Sequence, residues 1–362
     1  MKEIEILIIG GGPAGLCAAS AAASMGAKVL ICERNQTLGG QLMIQTGKFF
    51  GNKHAGMRGF QIGAELLAEV AAAPAIEVWT GATVLGVYED GVVTCLHHNE
   101  HKKIKPAKVI IATGASENFL GFPGNDLPGV YAAGAAETLV HAGVKPAERV
   151  LMVGAGNIGL TVSYQLKQAG VDVAAIIEVM PQIGGYLVHA SKLRRCGIPI
   201  MTSTTIAEAY GDGKVEGAKI VSLDENRQAI PGSEKKIACD AICLSVGLSP
   251  LAELCWQAGC KMAFISELGG CVPLVDQDME TTVSGVYAAG DVSGLEEATT
   301  AMLEGRLAGI SAAAALDYNT DQAAQLQAEC KSELKALRSG PMSAKIRAGL
   351  EKVAAKRGAV KC

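Results

Sequence analysis

Residues 6–15, ILIIGGGPAG, constrain this chain more than any other stretch. The apolar run Ile6, Leu7, Ile8, Ile9 is too short for a buried helix and suits a central parallel strand. Gly10, Gly12 and Gly15 follow at the spacing G-x-G-x-x-G, around Pro13 and Ala14. The three glycines serve different ends: a tight turn, bare backbone that a pyrophosphate can approach, and close packing of the next helix on the sheet. That helix, predicted from Ala14 to Met25, points unpaired N–H groups and its positive dipole end at the phosphates. A second strand, AKVLICE, ends in Glu33, placed to meet the hydroxyls of a ribose about twenty residues after the turn.

The pattern returns later in the chain. RVLMVGAGNIGLTVSYQLKQAG has strand, turn and helix, with Gly154, Gly156 and Gly159 around Asn157 and Ile158, and VDVAAIIE ends in Glu178. Two copies of one supersecondary unit, each with its own acid, are far more specific than one. A carboxylate accepts from two free ribose hydroxyls and repels a 2′-phosphate, which favours NAD over NADP at the second copy. An adenosine ribose is common to NAD, ATP and ADP, so the motif leaves these three open. Arg194 and Arg195 form a basic pair that the spacing does not place.

After Glu33 comes RNQTLGGQLMIQTGKFFGNKHAGMRG, an irregular stretch long enough to line a site. A helix is predicted over 60–72, stopped by Pro74, and the β-rich runs after it turn at Asp90-Gly91. The strand AKVIIATG ends at Ala112-Thr113-Gly114, and the glycine- and proline-rich connection beyond it marks a crossing into a second domain. That domain includes the strand CDAICLSVG, which ends at Gly247. A further apolar strand in TTVSGVYAAGD ends in Gly290-Asp291, before a long helix expected to be amphipathic. An aspartate delivered there can bind a sugar-alcohol hydroxyl, cap the helix, or both. The expected fold is α/β, with two Rossmann-like dinucleotide-binding domains of ββα sandwich type, the second inserted into the first. Residues 1–114 and 277–316 are assigned to the first, 115–276 with its connecting segments to the second, and 317–362 to a short helical basic tail.

A chain of 362 residues, 49% of them hydrophobic, can fill two cores. A net charge of −4 and 4% aromatics give no case for nucleic acid. The acidic start MKEIEILIIG reads as a strand and not a signal peptide, and no stretch of about eighteen apolar residues predicts a membrane span, so cytoplasm is the expected location. The eleven cysteines contain no C-x-x-C pair and are expected as reduced thiols. Their only clustering, Cys239, Cys243, Cys255 and Cys260, has the spacing of neither a ferredoxin nor a zinc ribbon. His97, His98 and His101 are expected in a solvated hairpin end, and no metal site is assigned. From Lys331 to Cys362 there are nine Lys/Arg against two Asp/Glu, while Ile346, Leu350 and Val353 share one helix face. A helix packed on its own body ranks ahead of a docking helix for a partner, and that ahead of a nucleic-acid or membrane tail.

The two glycine motifs, the ATG strand end and the closing GVYAAGD strand together resemble the two-dinucleotide-domain flavoproteins, the superfamily of thioredoxin reductase and glutathione reductase. The resemblance covers residues 1–316. It implies that FAD is bound by Gly10, Gly12, Pro13, Ala14, Gly15, Glu33 and Arg34, with the flavin beside Gly39, Gly40, Gln41 and Leu42 and the strand end Ala112-Thr113-Gly114. Gly290 and Asp291 would meet the ribityl chain, and Glu297 and Ala298 the pyrimidine edge. Gly154, Gly156, Asn157, Ile158, Gly159, Glu178 and Gly247 would hold NAD(H), with ATP or ADP as the alternative. The reductases also carry a redox cysteine pair. Here GGQLMIQTGKFFG has no cysteine and the stretch that follows the second glycine motif, residues 160–238, has only Cys196, so no dithiol relay is expected and disulfide reduction is rejected.

The finer pattern, in GGQLMIQTGKFFGNKHAGMRGF, GAGNIGLTVSYQLKQAG, IGGYLVHASKLRRCGIPI and SVGLSPLAELCWQAGC, resembles the α subunits of heteromeric amine-oxidising flavoenzymes. Sarcosine oxidase α, the corresponding chain of hydrogen cyanide synthase and the dye-linked proline and hydroxyproline dehydrogenases belong to that group. The resemblance implies an FAD- and NAD(H)-binding oxidoreductase subunit that moves electrons for a second flavoprotein, the β subunit. An iron–sulfur module would belong to another polypeptide, because the tail has only Cys330 and Cys362. Lys48 and Thr46 are the candidate catalytic residues, able to stabilise charge on a reduced flavin and to hydrogen-bond it, with His54 as a further candidate. Two other readings stand beside this one: a lone NADH-dependent flavin reductase or NADH oxidase, and a nucleotide-bound scaffold with no catalysis of its own.

Overall fold

The structure is a computed structural model that describes residues 1–49 and 53–360, the side chain of Val360 excepted. Phe50, Gly51 and Asn52 of the segment after GGQL, and Cys362 of the tail, lie outside the described residues. The chain forms two units, Met1–Ser116 with Ser249–Cys362, and Glu117–Leu248. Among the described residues no helix is long and apolar enough to cross a membrane.

In the first unit the strand Lys2–Ile9 lies inside a parallel sheet in the order Ile76–Thr80, Val29–Glu33, Lys2–Ile9, Glu100–Ile111, Val286–Ala288. Strand alternation divides its core in two. Ile6 and Ile8 face a layer with Ile31 and Ile110, and Leu7 and Ile9 face one with Leu30 and Ile111. Burying each such side chain is worth roughly 1.5–3 kcal/mol, and that fixes the strand at the centre. The first half of Glu100–Ile111 pairs antiparallel with Val93–His97, and the turn uses His98 and Asn99 at φ 52° and 58°, as a tight hairpin requires.

The helix Pro13–Ser24 lies against the helix Ala298–Ala314 at very short range. A Cβ at Gly305 would stand 2.0 Å from the Ala14 carbonyl oxygen, and one at Gly309 2.2 Å from that of Ala18. The long helix is therefore not amphipathic as expected but buried nearly all round, because the helix Thr320–Leu337 packs on it as well. Through Ala323, Cys330 and Leu334 this tail helix joins the core, while Val353 of the last helix, Ala344–Val360, joins Leu268, Val272 and Leu274. The tail cations Lys331, Arg338, Lys352 and Arg357 pair with Asp278, Glu296 and Glu304, Glu267 and Asp276 of the unit's body. Four of the nine tail cations are thus paired with acids of their own unit.

The second unit has its own parallel sheet, ordered Ile200–Met201, Asp172–Ile177, Arg149–Val153, Ala241–Leu244, Val130–Ala132. A three-stranded antiparallel sheet, Thr204–Tyr210, Gly217–Ser222 and Lys235–Ala238, shares a core with it. The return to the first unit comes at Leu248/Ser249, well before the expected 277. The reason is packing: Ala252, Cys255, Ala258 and Cys260 insert into the layer that holds Leu7 and Ile9. For the same reason 317–360 is part of the first unit and not a separate appendage.

Candidate functional site

The first glycine turn begins where Gly10 donates to the Cys32 carbonyl at 2.9 Å and Ala112 donates to that of Ile9 at 2.8 Å. Gly10 has φ +109°, and a Cβ there would sit 2.3 Å from the Ala112 carbonyl oxygen. A Cβ on Gly15 would sit 1.9 Å from the Gly10 carbonyl oxygen, so only glycine lets the helix come this close to the turn. At Gly12, by contrast, a Cβ would meet nothing within 4 Å. Gly12 is also the N-cap of Pro13–Ser24 and brings no side chain to its N–H groups. The helix thus opens on free space with its amides uncapped, a cradle suited to a diphosphate. Glu33 is buried with each oxygen engaged: Oε2 accepts from the Gly11 N–H and Oε1 from the Asn35 N–H, both at 2.7 Å. Arg34 beside it is exposed.

The second turn repeats this geometry. Gly154 has φ +107° with the Ser245 carbonyl oxygen 2.0 Å from its Cβ position, a Cβ on Gly159 would sit 2.1 Å from the Gly154 carbonyl oxygen, and Gly156 is open. Glu178 accepts from the Ala155 N–H at 2.7 Å and the Met180 N–H at 2.9 Å, as Glu33 does from Gly11 and Asn35. The Asn157 side chain accepts from the Tyr186 N–H at 2.8 Å, Ile158 is half-exposed, and Gly247 takes φ +105°. Arg194 and Arg195 are exposed at the C-terminal end of the helix Leu187–Arg195, about 10 Å along its axis from the end that follows Tyr186.

A further correspondence is not part of the two motifs. Gly39 and Gly40 follow Glu33, and Gly184 and Gly185 follow Glu178 at the same distance along the chain. Gly39 donates to the Gly11 carbonyl at 2.8 Å, and Gly185 to that of Ala155 at 3.0 Å. A Cβ on Gly40 would stand 2.9 Å from the Gly12 Cα, and one on Gly185 2.8 Å from the Gly156 carbonyl carbon. Each double glycine therefore folds back over its own turn, and the shared spacing was the signal for it. Leu42 is fully buried next to this contact, with Gln41 exposed.

The first turn alone has a third wall. Gly290, at φ +78°, leaves only 2.9 Å between its Cβ position and the Ala14 Cβ. Its N–H donates to Glu304 Oε2 at 3.0 Å. Asp291 follows, and burial pushes its carboxyl up to about 6; the Glu296 N–H works against that, and the charges of Glu296 and Glu297 add to it. Glu297 is the N-cap of the helix Ala298–Ala314. At the strand end, the Thr113 hydroxyl donates to the Leu251 carbonyl at 2.6 Å, and Gly114 takes φ +76°. Arg338, Glu296 and Glu304, which frame this wall, were not singled out from the sequence.

The segment after Leu42 gives no buried catalytic group among the described residues. Lys48 is exposed and forms an isolated β-bridge with Arg58, whose guanidinium donates to the Thr46 carbonyl. Burial and Lys53 lower the pKa of His54. Among the described residues no group of three or more His, Cys, Asp or Glu could hold a metal ion. Of the cysteine cluster, Cys239 and Cys243 belong to the second unit and Cys255 and Cys260 to the first. Cys196 is an exposed free thiol. His97 stacks on Trp79, with ring centroids 4.8 Å apart.

The family described as pyridine nucleotide-disulphide oxidoreductase matches residues 4–305. An opine oxidase subunit of Agrobacterium tumefaciens (strain Ach5) is 28% identical, over 88% of this chain and 67% of that protein. The alpha subunit of sarcosine oxidase of Rhizobium meliloti (strain 1021) is 28% identical over 73% of this chain, but over only 26% of its own length. The chain thus spans from about a quarter to two thirds of these two relatives. Among solved structures, T. acidophilum thioredoxin reductase superposes with a TM-score of 0.73 at 24% identity, covering 87% of this chain and 99% of that one. L-proline dehydrogenase from P. horikoshii gives a TM-score of 0.73 at 22% identity, with 92% and 59% covered. These two establish the fold.

Proposed function

Because this chain belongs to the pyridine nucleotide-disulphide oxidoreductase family, an FAD-dependent oxidoreductase class that implies FAD and NAD(P) as cofactors, we propose that its first unit holds FAD and its second an exchangeable NAD(H). The observation that carries this is the pair of open glycine cradles, each with a buried acid fixed by two backbone N–H groups. In the first unit Gly10, Gly12, Gly15 and Glu33 take the adenosine diphosphate, Gly40 to Leu42 flank the ring, and Asp291 takes a ribityl hydroxyl. In the second, Gly154, Gly156, Gly159 and Glu178 take the nicotinamide nucleotide. A carboxylate on the ribose, with Arg194 and Arg195 at the far end of their helix, favours NAD over NADP.

Bound flavin supplies the redox chemistry, taking a hydride from a nicotinamide and passing electrons on. The residues of the chain bind, orient and exclude water, and no protein acid or base is required for the transfer. Thr46 and Lys48 stay as proposed partners of the reduced ring, Lys48 by its charge. By analogy with relatives that are oxidase subunits, the chain works as the α-type subunit of an amine or amino-acid oxidising assembly, and a second flavoprotein is its partner. The test is anaerobic titration of the purified chain with NADH. Bleaching of the flavin's visible absorbance is expected, followed by reoxidation when the partner flavoprotein is added. A flavin that stays oxidised with NADH bound would instead favour the nucleotide-bound scaffold.

A further inference from the structure

Arg338 closes the helix Thr320–Leu337, in the tail beyond the family match, yet it is directed inward. Its guanidinium grips Glu296 with two bonds, Nε to Oε2 at 3.0 Å and Nη2 to Oε1 at 2.6 Å, and it also binds Glu304 Oε1. The three side chains are 16%, 9% and 7% exposed. Glu304 uses its other oxygen to accept from the Gly290 N–H and, at 3.2 Å, from the Ser293 hydroxyl. Glu296 offers its own N–H to the Asp291 carboxylate. Both sides of the Gly290-Asp291 turn therefore connect to one cation.

We propose that Arg338 is a positioning residue for FAD: a clamp, built from the tail, that holds the Gly290-Asp291 turn in binding geometry and offsets the buried charge of Glu304 and Glu296. This rests on the reading of the first unit as the FAD unit. Without the cation, Glu304 would keep only the Gly290 N–H and the Ser293 hydroxyl, Glu296 would stand beside Glu304 and Asp291 with no positive charge to offset it, and a buried pair broken on one side is costly. The helix Pro13–Ser24 on the other side of the turn has no charged residue, and Arg347 binds only the Arg338 and Gly340 carbonyls here. Burial already raises the pKa of Glu304, and loss of Arg338 raises it further. The defect is therefore largest where Glu304 is ionised and is relieved by protonation.

The test measures FAD affinity of the full chain by quenching of flavin fluorescence, and melting of the FAD-free chain, from pH 6 to 8.5. For Arg338→Met the FAD Kd should rise at least about tenfold at pH 8 and by less than about threefold at pH 6. Arg338→Lys, which keeps the charge and loses the fork, should fall between it and the wild type. Adding Glu304→Gln to Arg338→Met should recover most of the loss. The control Leu334→Ala, which weakens tail packing, should lower the melting temperature without a pH-dependent change in Kd. Unchanged FAD affinity of Arg338→Met at every pH, or a loss equal at pH 6 and pH 8, would overturn the clamp. A wild type that binds no FAD would instead refute the reading it rests on, and the pH-dependent melting would still judge the Arg338–Glu304 pair.

Discussion

The two glycine turns have one backbone and different surroundings. Gly10 and Gly154 agree to within two degrees in φ, and Gly12 and Gly156 are equally open. Yet Ala14 is 5% exposed in the first turn while Ile158, at the same place in the second, is 36% exposed. The first is covered because Gly290, Gly305 and Gly309 allow a third strand and a long helix to come against it, and the tail helix backs them. Nine residues after each acid the contrast repeats, for Leu42 after Glu33 is fully buried and Leu187 after Glu178 is 71% exposed. In the proposed assignment the walled turn holds the resident cofactor and the open one the exchanging nucleotide.

The sharpest way to break the comparison is Gly305→Leu. The Cβ position is already 2.0 Å from the Ala14 carbonyl, so the helix pair must separate, at a cost of about 3 kcal/mol or more. Loss of bound FAD and a lower melting temperature are expected, with the second sheet keeping its own hydrogen-exchange protection.

A smaller effect concerns the buried wall. The Asp291 carboxyl is raised from the ordinary 3.8 to about 6, so the stability it contributes is present below about pH 4 and is lost as pH rises through 6. The FAD-free wild type should lose roughly 3 kcal/mol relative to Asp291→Asn across pH 4 to 7, measured by urea unfolding. Asp291→Asn should therefore be the more stable FAD-free protein at pH 7 and the weaker FAD binder.

Smallest and most discriminating are the two acids. Glu33→Gln should weaken FAD alone and Glu178→Gln NADH alone, each by roughly 2 kcal/mol, about thirtyfold, read by calorimetric titration. If Glu178→Gln weakened FAD equally, the division between the units would fail.

Much of the fold could be read from residues because glycine geometry is local. A positive φ at Gly10 and Gly154 and contact with a carbonyl at Gly15 and Gly159 leave no other residue type, so the motif fixes the turn. What could not be read was long-range. Ala252, Cys255, Ala258 and Cys260 look like one face of any short helix, and nothing in their order says which core they join. The helix Ala298–Ala314 is so rich in small residues that its two packing faces leave no periodic trace. Arg338 lies in a charge run that by default reads as solvated, and its partner Glu304 is 34 residues away. The double glycines were legible in principle, since Gly39 and Gly184 stand at equal distances from their acids, but a glycine pair in an irregular stretch carries no signal until the two copies are aligned on Glu33 and Glu178.

The central claim is that the walled turn keeps its nucleotide and the open one exchanges it. Denaturing the purified chain after repeated desalting, and quantifying the released nucleotides by chromatography, tests this most directly. The account predicts one FAD per chain and no adenine nucleotide from the second site, with NADH binding restored on re-addition. An ADP, ATP or NAD retained in equal amount through desalting, or FAD lost while that nucleotide stays, would contradict it.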